Sequence, residues 1–125
     1  MITSGAVYDK ATNCALLSFR GFLTTQEFIA IAEQGHTLRL QYNSNKQLND
    51  IEDMAVLTKD IQQYLKETWF PKAVKTGLKY FAFVIPKNAL GMMSMKGANT
   101  EADRTGIDIK YFDNLAGAKE WLMSK

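Results

Sequence analysis

Few residues in this chain have the type and spacing to do chemistry. His36 is the only histidine and Cys14 the only cysteine. A His-based metal site or proton relay therefore lacks a second ring, and a thiolate cage or intrachain disulfide lacks a second sulfur. His36 falls within a helical stretch and is expected to have a surface or structural role. Cys14 lies in a strand and reads as a small buried hydrophobe rather than a nucleophile. Asp50, Glu52 and Asp53 come nearest to an acid–base pair or a hard-cation group. They lack the spacing of a full EF-hand loop, so the expectation is a solvated acidic turn. Gly91, Gly97 and Gly106 are too dispersed for a phosphate loop, and neither GxxxxGK[ST] nor GxGxxG occurs. No cofactor is implied.

Apolar residues offer the other candidate surface. Met92, Met93 and Met95 hold half of the six methionines. They read either as core packing or as an adaptable face for a partner. Trp69 and Phe70 are adjacent and cannot point the same way on one helix, so one of them is expected to be an exposed anchor.

The elements that would position these residues follow from composition and periodicity. At 125 residues, with 46% hydrophobic and 22% charged residues, the chain suits one globular domain. A net charge of +2 and scattered lysines give no phosphate-tracking stripe, which argues against a nucleic-acid partner. MITSGAVYDK lacks a basic segment followed by an apolar core, and no stretch approaches the roughly 20 apolar residues of a membrane span. A cytoplasmic location is expected.

Residues 3–9 and 13–20 read as an antiparallel hairpin turning at 10–13. Thr24 and Glu27 match a capping box, with Leu23 and Phe28 placed as its hydrophobic staple. The helix that follows presents Phe28, Ile31, Ala32 and Leu38 on one face. Gly35 in its interior suggests a close approach. Residues 46–51 form a weak strand, carried by Leu48 and Ile51. Thr58 can cap the next helix, whose stripe is Ile61, Tyr64, Leu65 and Trp69; Pro71 predicts a kink, and Gly77 a stop. Residues 80–85, YFAFVI, form the most apolar strand, ended by Pro86, and Asn88 can cap a short Met-rich helix. Residues 96–106 read as a polar mobile loop. Residues 107–112 form the last strand, and Asp113 caps a terminal helix facing inward with Leu115, Ala118, Trp121 and Leu122. The sum is an α/β chain with a mixed five-stranded sheet and about four helices.

The segments WFPKAVKTGLKYFAFVIP and YFDNLAGAKEWL, within this order of elements, resemble the bacterial STAS/SEC14-like (SpoIIAA-like) family. The resemblance implies a βα superhelix across nearly the whole chain. In anti-sigma-factor antagonists of that fold, a phosphorylatable serine follows the Asp-bearing strand. Here the matching DIEDMAVLTKD has no serine, leaving Asp50 and Thr58 as the nearest switch positions, outside the Asp–x–Ser pattern. The resulting expectation is a non-enzymatic interaction module of regulatory or signalling type. Its oligomeric state is open, a dimer included. The runner-up, suggested by the SEC14-like relatives, is a small apolar-ligand binder using a groove near Met92, Met93 and Trp69. An enzyme built on Asp50 is the least favoured reading.

Overall fold

The computed structural model describes residues 4–53, 58–86 and 106–125. Strand β1 (Gly5–Asp9) runs antiparallel to β2 (Cys14–Ser18) through the turn at 10–13, where Asn13 takes φ +53°. An asparagine tolerates that left-handed conformation better than most residues. Strands β3 (Lys46–Asp50), β4 (Tyr80–Val84) and β5 (Asp108–Phe112) then add in parallel, giving the sheet order β1-β2-β3-β4-β5. The mixed five-stranded sheet is the one expected.

Helix α1 (Thr25–Gln41) starts at the anticipated capping box: Thr24 Oγ1 accepts from Glu27 N–H, and Glu27 Oε1 accepts from Thr24 N–H at 2.9 Å. Leu23 and Phe28 are both buried in one cluster. The buried face of α1 is Phe28, Ala32, Gly35, His36 and Arg39, with Ile31 and Leu38 half-buried at its border. His36 and Arg39 therefore lie inside the fold.

The second helical stretch carries an irregularity just ahead of the kink expected at Pro71. Helix α2 (Lys59–Tyr64) passes into a π-helical turn at Leu65–Trp69, then α3 (Phe70–Lys75). Phe70 N–H donates to Leu65 O, five residues back. A proline has no N–H to donate and crowds the preceding carbonyl, and a widened turn before it accommodates both. Gly77, at φ +87°, ends the segment. Helix α4 (Leu115–Met123) is capped by Asn114, whose Oδ1 accepts from Gly117 N–H at 2.6 Å; the expected cap, Asp113, instead accepts from the Asn114 amide. Ala118 and Leu122 face inward, while Leu115 is exposed and Trp121 half-buried.

Side-chain alternation splits the core between the two faces of the sheet. On the α1 face, Ala15, Leu17, Phe81 and Ile109 meet Phe28, Ile61, Trp69 and Ala73. On the α4 face, Cys14, Leu48, Ala82 and Val84 meet Ala118 and Leu122. Cys14 is buried as expected, and burial pushes its thiol up to about 11, so it stays protonated at neutral pH.

Gly35 marks a close approach between α1 and the Gln47 side chain of the sheet. A Cβ there would stand 2.8 Å from Gln47 Oε1. Gln47 is fully buried and held by hydrogen bonds to Arg39 and Asn49, so it cannot swing aside. Gly35→Ala is therefore expected to lower stability by about 1–3 kcal/mol, the crowding outweighing the ~1 kcal/mol gain in helix propensity. Urea denaturation checks this, and a raised midpoint would contradict the close packing.

Candidate functional site

The parallel strands β2 and β3 both deliver polar groups at their carboxyl ends, the side of an open α/β sheet where ligands and partners dock. Arg20 follows β2, and Asp50 closes β3. Arg20 Nη2 donates to Asp50 Oδ2 at 2.8 Å and Arg20 Nη1 to Asp53 Oδ2 at 2.6 Å. Asp50 Oδ1 also accepts from Glu52 N–H at 3.2 Å, while Gly21 N–H donates to Asp53 O at 2.8 Å. At its other end, Arg20 N–H donates to Ser4 Oγ at 2.8 Å. Asp50 is thus not part of a solvated acidic turn. Its side chain is 7% exposed because the neighbouring strand supplies a guanidinium. The two carboxylates converge on that cation. Among the described residues no group of three His, Cys, Asp or Glu side chains is assembled for a metal.

Beside this triad stands Phe22, 71% exposed and the most exposed large apolar side chain of the described residues. It sits between the Arg20–Gly21 anchor and the capping box of α1, so its backbone is held on both sides.

The residues expected to form an interaction surface fall elsewhere. Trp69 is 1% exposed, its Nε1–H donating to Ala32 O at 3.1 Å and its ring packing against His36 and Phe81. It is a core residue, not an anchor. Phe70 is half-buried, edge-on to Trp69. Neither residue is left open: Trp69 is buried on the stripe the spacing gave it, and Phe70, just past the π-turn, packs at the cluster's border. Met92, Met93 and Met95, the Asn88 cap and residues 96–105 of the polar loop lie outside the described residues. Thr58 caps α2 as expected, accepting from Ile61 N–H at 3.3 Å.

A second polar group lies under α1, away from the carboxyl edge. Arg39 is 1% exposed. Its Nε–H donates to Gln47 Oε1 at 2.9 Å, Nη1 to Thr76 Oγ1 at 3.0 Å and Nη2 to His36 Nδ1 at 2.5 Å. Gln47 Nε2 passes the chain on to Asn49 Oδ1 at 2.9 Å. Burial lowers the guanidinium to about 10, which still leaves it charged at neutral pH. Burial, with Arg39 beside it, pushes the His36 imidazole down to about 4 and keeps it neutral. Its Nε2 is buried without a partner. Glu33, nearby, accepts from Lys72 and from the Tyr64 hydroxyl. Burial works to raise its carboxyl, but those bonds outweigh it and leave the group below the usual range. Burial, together with the same contact, pushes the Tyr64 phenol up. Arg39, His36 and Gln47 are buried and tie α1 to β3 and the end of α3, while Glu33, Lys72 and Tyr64 tie α1 to the neighbouring helices at a partly exposed border.

Sequence reasoning missed Arg20, Phe22 and Arg39. For the first two a signal existed: Phe19–Arg20–Gly21–Phe22 directly follows a strand, and an arginine there is level with an aspartate ending the next parallel strand. Arg39 carried none, since an arginine in the last turn of a helix ordinarily faces water.

No family model matches the chain, and no curated protein matches it. Among solved structures it is similar to an uncharacterized protein of the DUF3478 family with a SpoIIAA-like fold, from Shewanella loihica PV-4. The two share 18% identity, with 96% of this chain and 92% of that one covered, at a TM-score of 0.60. The likeness shows the fold: this chain is SpoIIAA-like in architecture. Among the described residues no helix is long and apolar enough to cross a membrane.

The two carboxylates on Arg20 differ in exposure, 7% for the Asp50 side chain against 61% for Asp53. Arg20→Ala strands the Asp50 carboxylate and is expected to cost about 1–3 kcal/mol. Asp53→Ala removes only a screened surface pair and should cost under about 1 kcal/mol. Equal losses in paired denaturation curves would contradict this division of roles.

Proposed function

We propose that this chain is a non-enzymatic protein-interaction module, of regulatory or signalling type, that engages a partner through the carboxyl edge of β2 and β3. The observation that carries the reading is Phe22, a largely exposed aromatic ring on a backbone braced by the Arg20–Asp50–Asp53 triad. Burying such a ring is worth about 1.5–3 kcal/mol, and an aromatic beside an arginine is the composition of an interface hot spot. The partner's chemistry follows: an apolar pocket for the ring, rimmed by polar groups that answer Asp53 and the exposed Glu52.

Two features favour binding over catalysis. Asp50 is committed to Arg20 and to the Glu52 N–H, so it is not poised as a general base. The sole histidine is buried among structural contacts rather than facing a cleft. The SpoIIAA-like fold agrees with a module of this kind. Because DIEDMAVLTKD has no serine in the position of the family's phosphoacceptor, control by phosphorylation there is not part of the proposal. The alternative of a small apolar ligand loses one of its supports, since Trp69 belongs to the core and lines no open groove.

The test uses the purified chain as bait in a bacterial extract, alongside Phe22→Asp and a control, Val74→Asp, at another exposed apolar site. A protein retained by the wild type and the control, lost with Phe22→Asp, and bound at least about tenfold more weakly by that variant when purified is the expected result. All three baits should melt alike. Retention indifferent to Phe22→Asp would overturn the assignment of the face.

A further inference from the structure

We infer that the free edge of β1 is a self-association surface, on which a second copy of this chain pairs its own β1 antiparallel about Val7. Among the described residues strand β1 is an outer strand of the sheet and pairs with β2 alone. Exposed edges are ordinarily guarded by lysines, prolines, bulges or charges. The opposite edge strand, β5, follows that rule, with exposed Asp108 and Lys110. Strand β1, Gly-Ala-Val-Tyr-Asp, has no proline and no lysine, and its five residue pairs with β2 run without a bulge.

The side chains flanking this edge are apolar on both faces of the sheet. Val7 pairs with Leu16 on the α4 side, where α4 packs over β3, β4 and β5. Val7 is left 59% exposed there. On the α1 side, Tyr8 stacks on Tyr42 with ring centroids 3.8 Å apart, and Tyr42 is 45% exposed.

Charge and size select a second copy as the occupant. In a two-fold antiparallel pairing centred on Val7, Val7 faces Val7, Ala6 faces Tyr8, and Gly5 faces Asp9. The strand's one charge thus meets a residue without a side chain, and the Asp9 carboxylate keeps its bonds to Thr12 and Lys119. Just beyond, Lys10 meets Ser4, so no like charges oppose one another. Each small residue faces a large one and β-branched faces β-branched, the arrangement that favours cross-strand pairs. With a net charge of only +2 per chain, long-range repulsion is slight. Five paired residues make an interface below the ~1,200–2,000 Å² of a stable complex, so the association is reversible and concentration-dependent. The pairing of residues 5–9 uses neither Phe22 nor the Arg20–Asp50–Asp53 triad; only Ser4, just beyond it, also touches Arg20.

Sedimentation of the full chain across a dilution series tests it. The mass should rise with concentration from that of one 14.1 kDa copy toward that of two. Val7→Lys and Val7→Glu each set like charges opposite and should raise the dissociation constant at least about tenfold. Mixed in equal amounts, the two variants should associate again, because residue 7 faces residue 7. Val7→Thr, which keeps β-branching without charge, should associate like the wild type, and its melting curve separates loss of pairing from loss of fold. A wild type that stays monomeric throughout, lysine and glutamate variants that still self-associate, or a mixture that stays monomeric would each overturn the proposal.

Discussion

A buried positive charge with no carboxylate against it is the constraint around which this fold closes. Among the described residues Arg39 forms no ion pair, yet it is almost wholly removed from water. Taking an ion out of water costs several kcal/mol, and only well-placed partners offset that cost. Here the partners are neutral: the Gln47 amide oxygen, the Thr76 hydroxyl and the unprotonated nitrogen of His36. Position supplies a further share. Arg39 lies in the last turn of α1, where the partial negative charge of the helix end favours a cation. One side chain thereby joins the end of α1 to the start of β3 and the end of α3.

The same network shapes what surrounds it. Gln47 must reach up from β3 to meet Arg39, and only a glycine at position 35 leaves room for it. His36 must stay neutral to accept from Arg39, and the Trp69 ring lying against it at 5.0 Å helps to keep water away. The π-turn ends on Trp69, so the irregular stretch of helix and the polar group beneath it meet at that ring. The two faces of the sheet consequently differ in character. The α4 side carries an apolar cluster with the buried Asp50 carboxylate at its edge, while the α1 side combines an aromatic core with a polar seam.

Much of the architecture was legible because it rests on local chemistry. The capping box at Thr24, the cap at Thr58 and the stop at Gly77 are signalled within a few residues of where they act, as is the apolar run of β4. Strand β3 was faint for a physical reason: Gln47 and Asp50 are buried against arginines from elsewhere in the chain, and Asn49 is buried beside Gln47, which no apolar period along the strand can announce. Trp69 and Phe70 show the complementary failure, because the rule that adjacent residues diverge assumes a regular helix. The candidate site was half visible. Asp50 stood out, but its partner Arg20 is thirty residues away and meets it only once β2 and β3 lie side by side.

The protonation state of His36 tests this account most directly, by nitrogen-detected NMR of its ring across a pH series. A guanidinium can only donate, so Nδ1 must be a bare acceptor and the ring proton must reside on Nε2. The ring should stay neutral well below its ordinary 6.5 and titrate only near about 4. Between those values the unfolded chain binds the extra proton, so stability should fall as pH drops through this window, with a slope approaching ~1.4 kcal/mol per pH unit, and level off above it. A ring carrying its proton on Nδ1, or titrating at or above its ordinary value, would mean that Arg39 is not held by His36, and the joint described here would not exist.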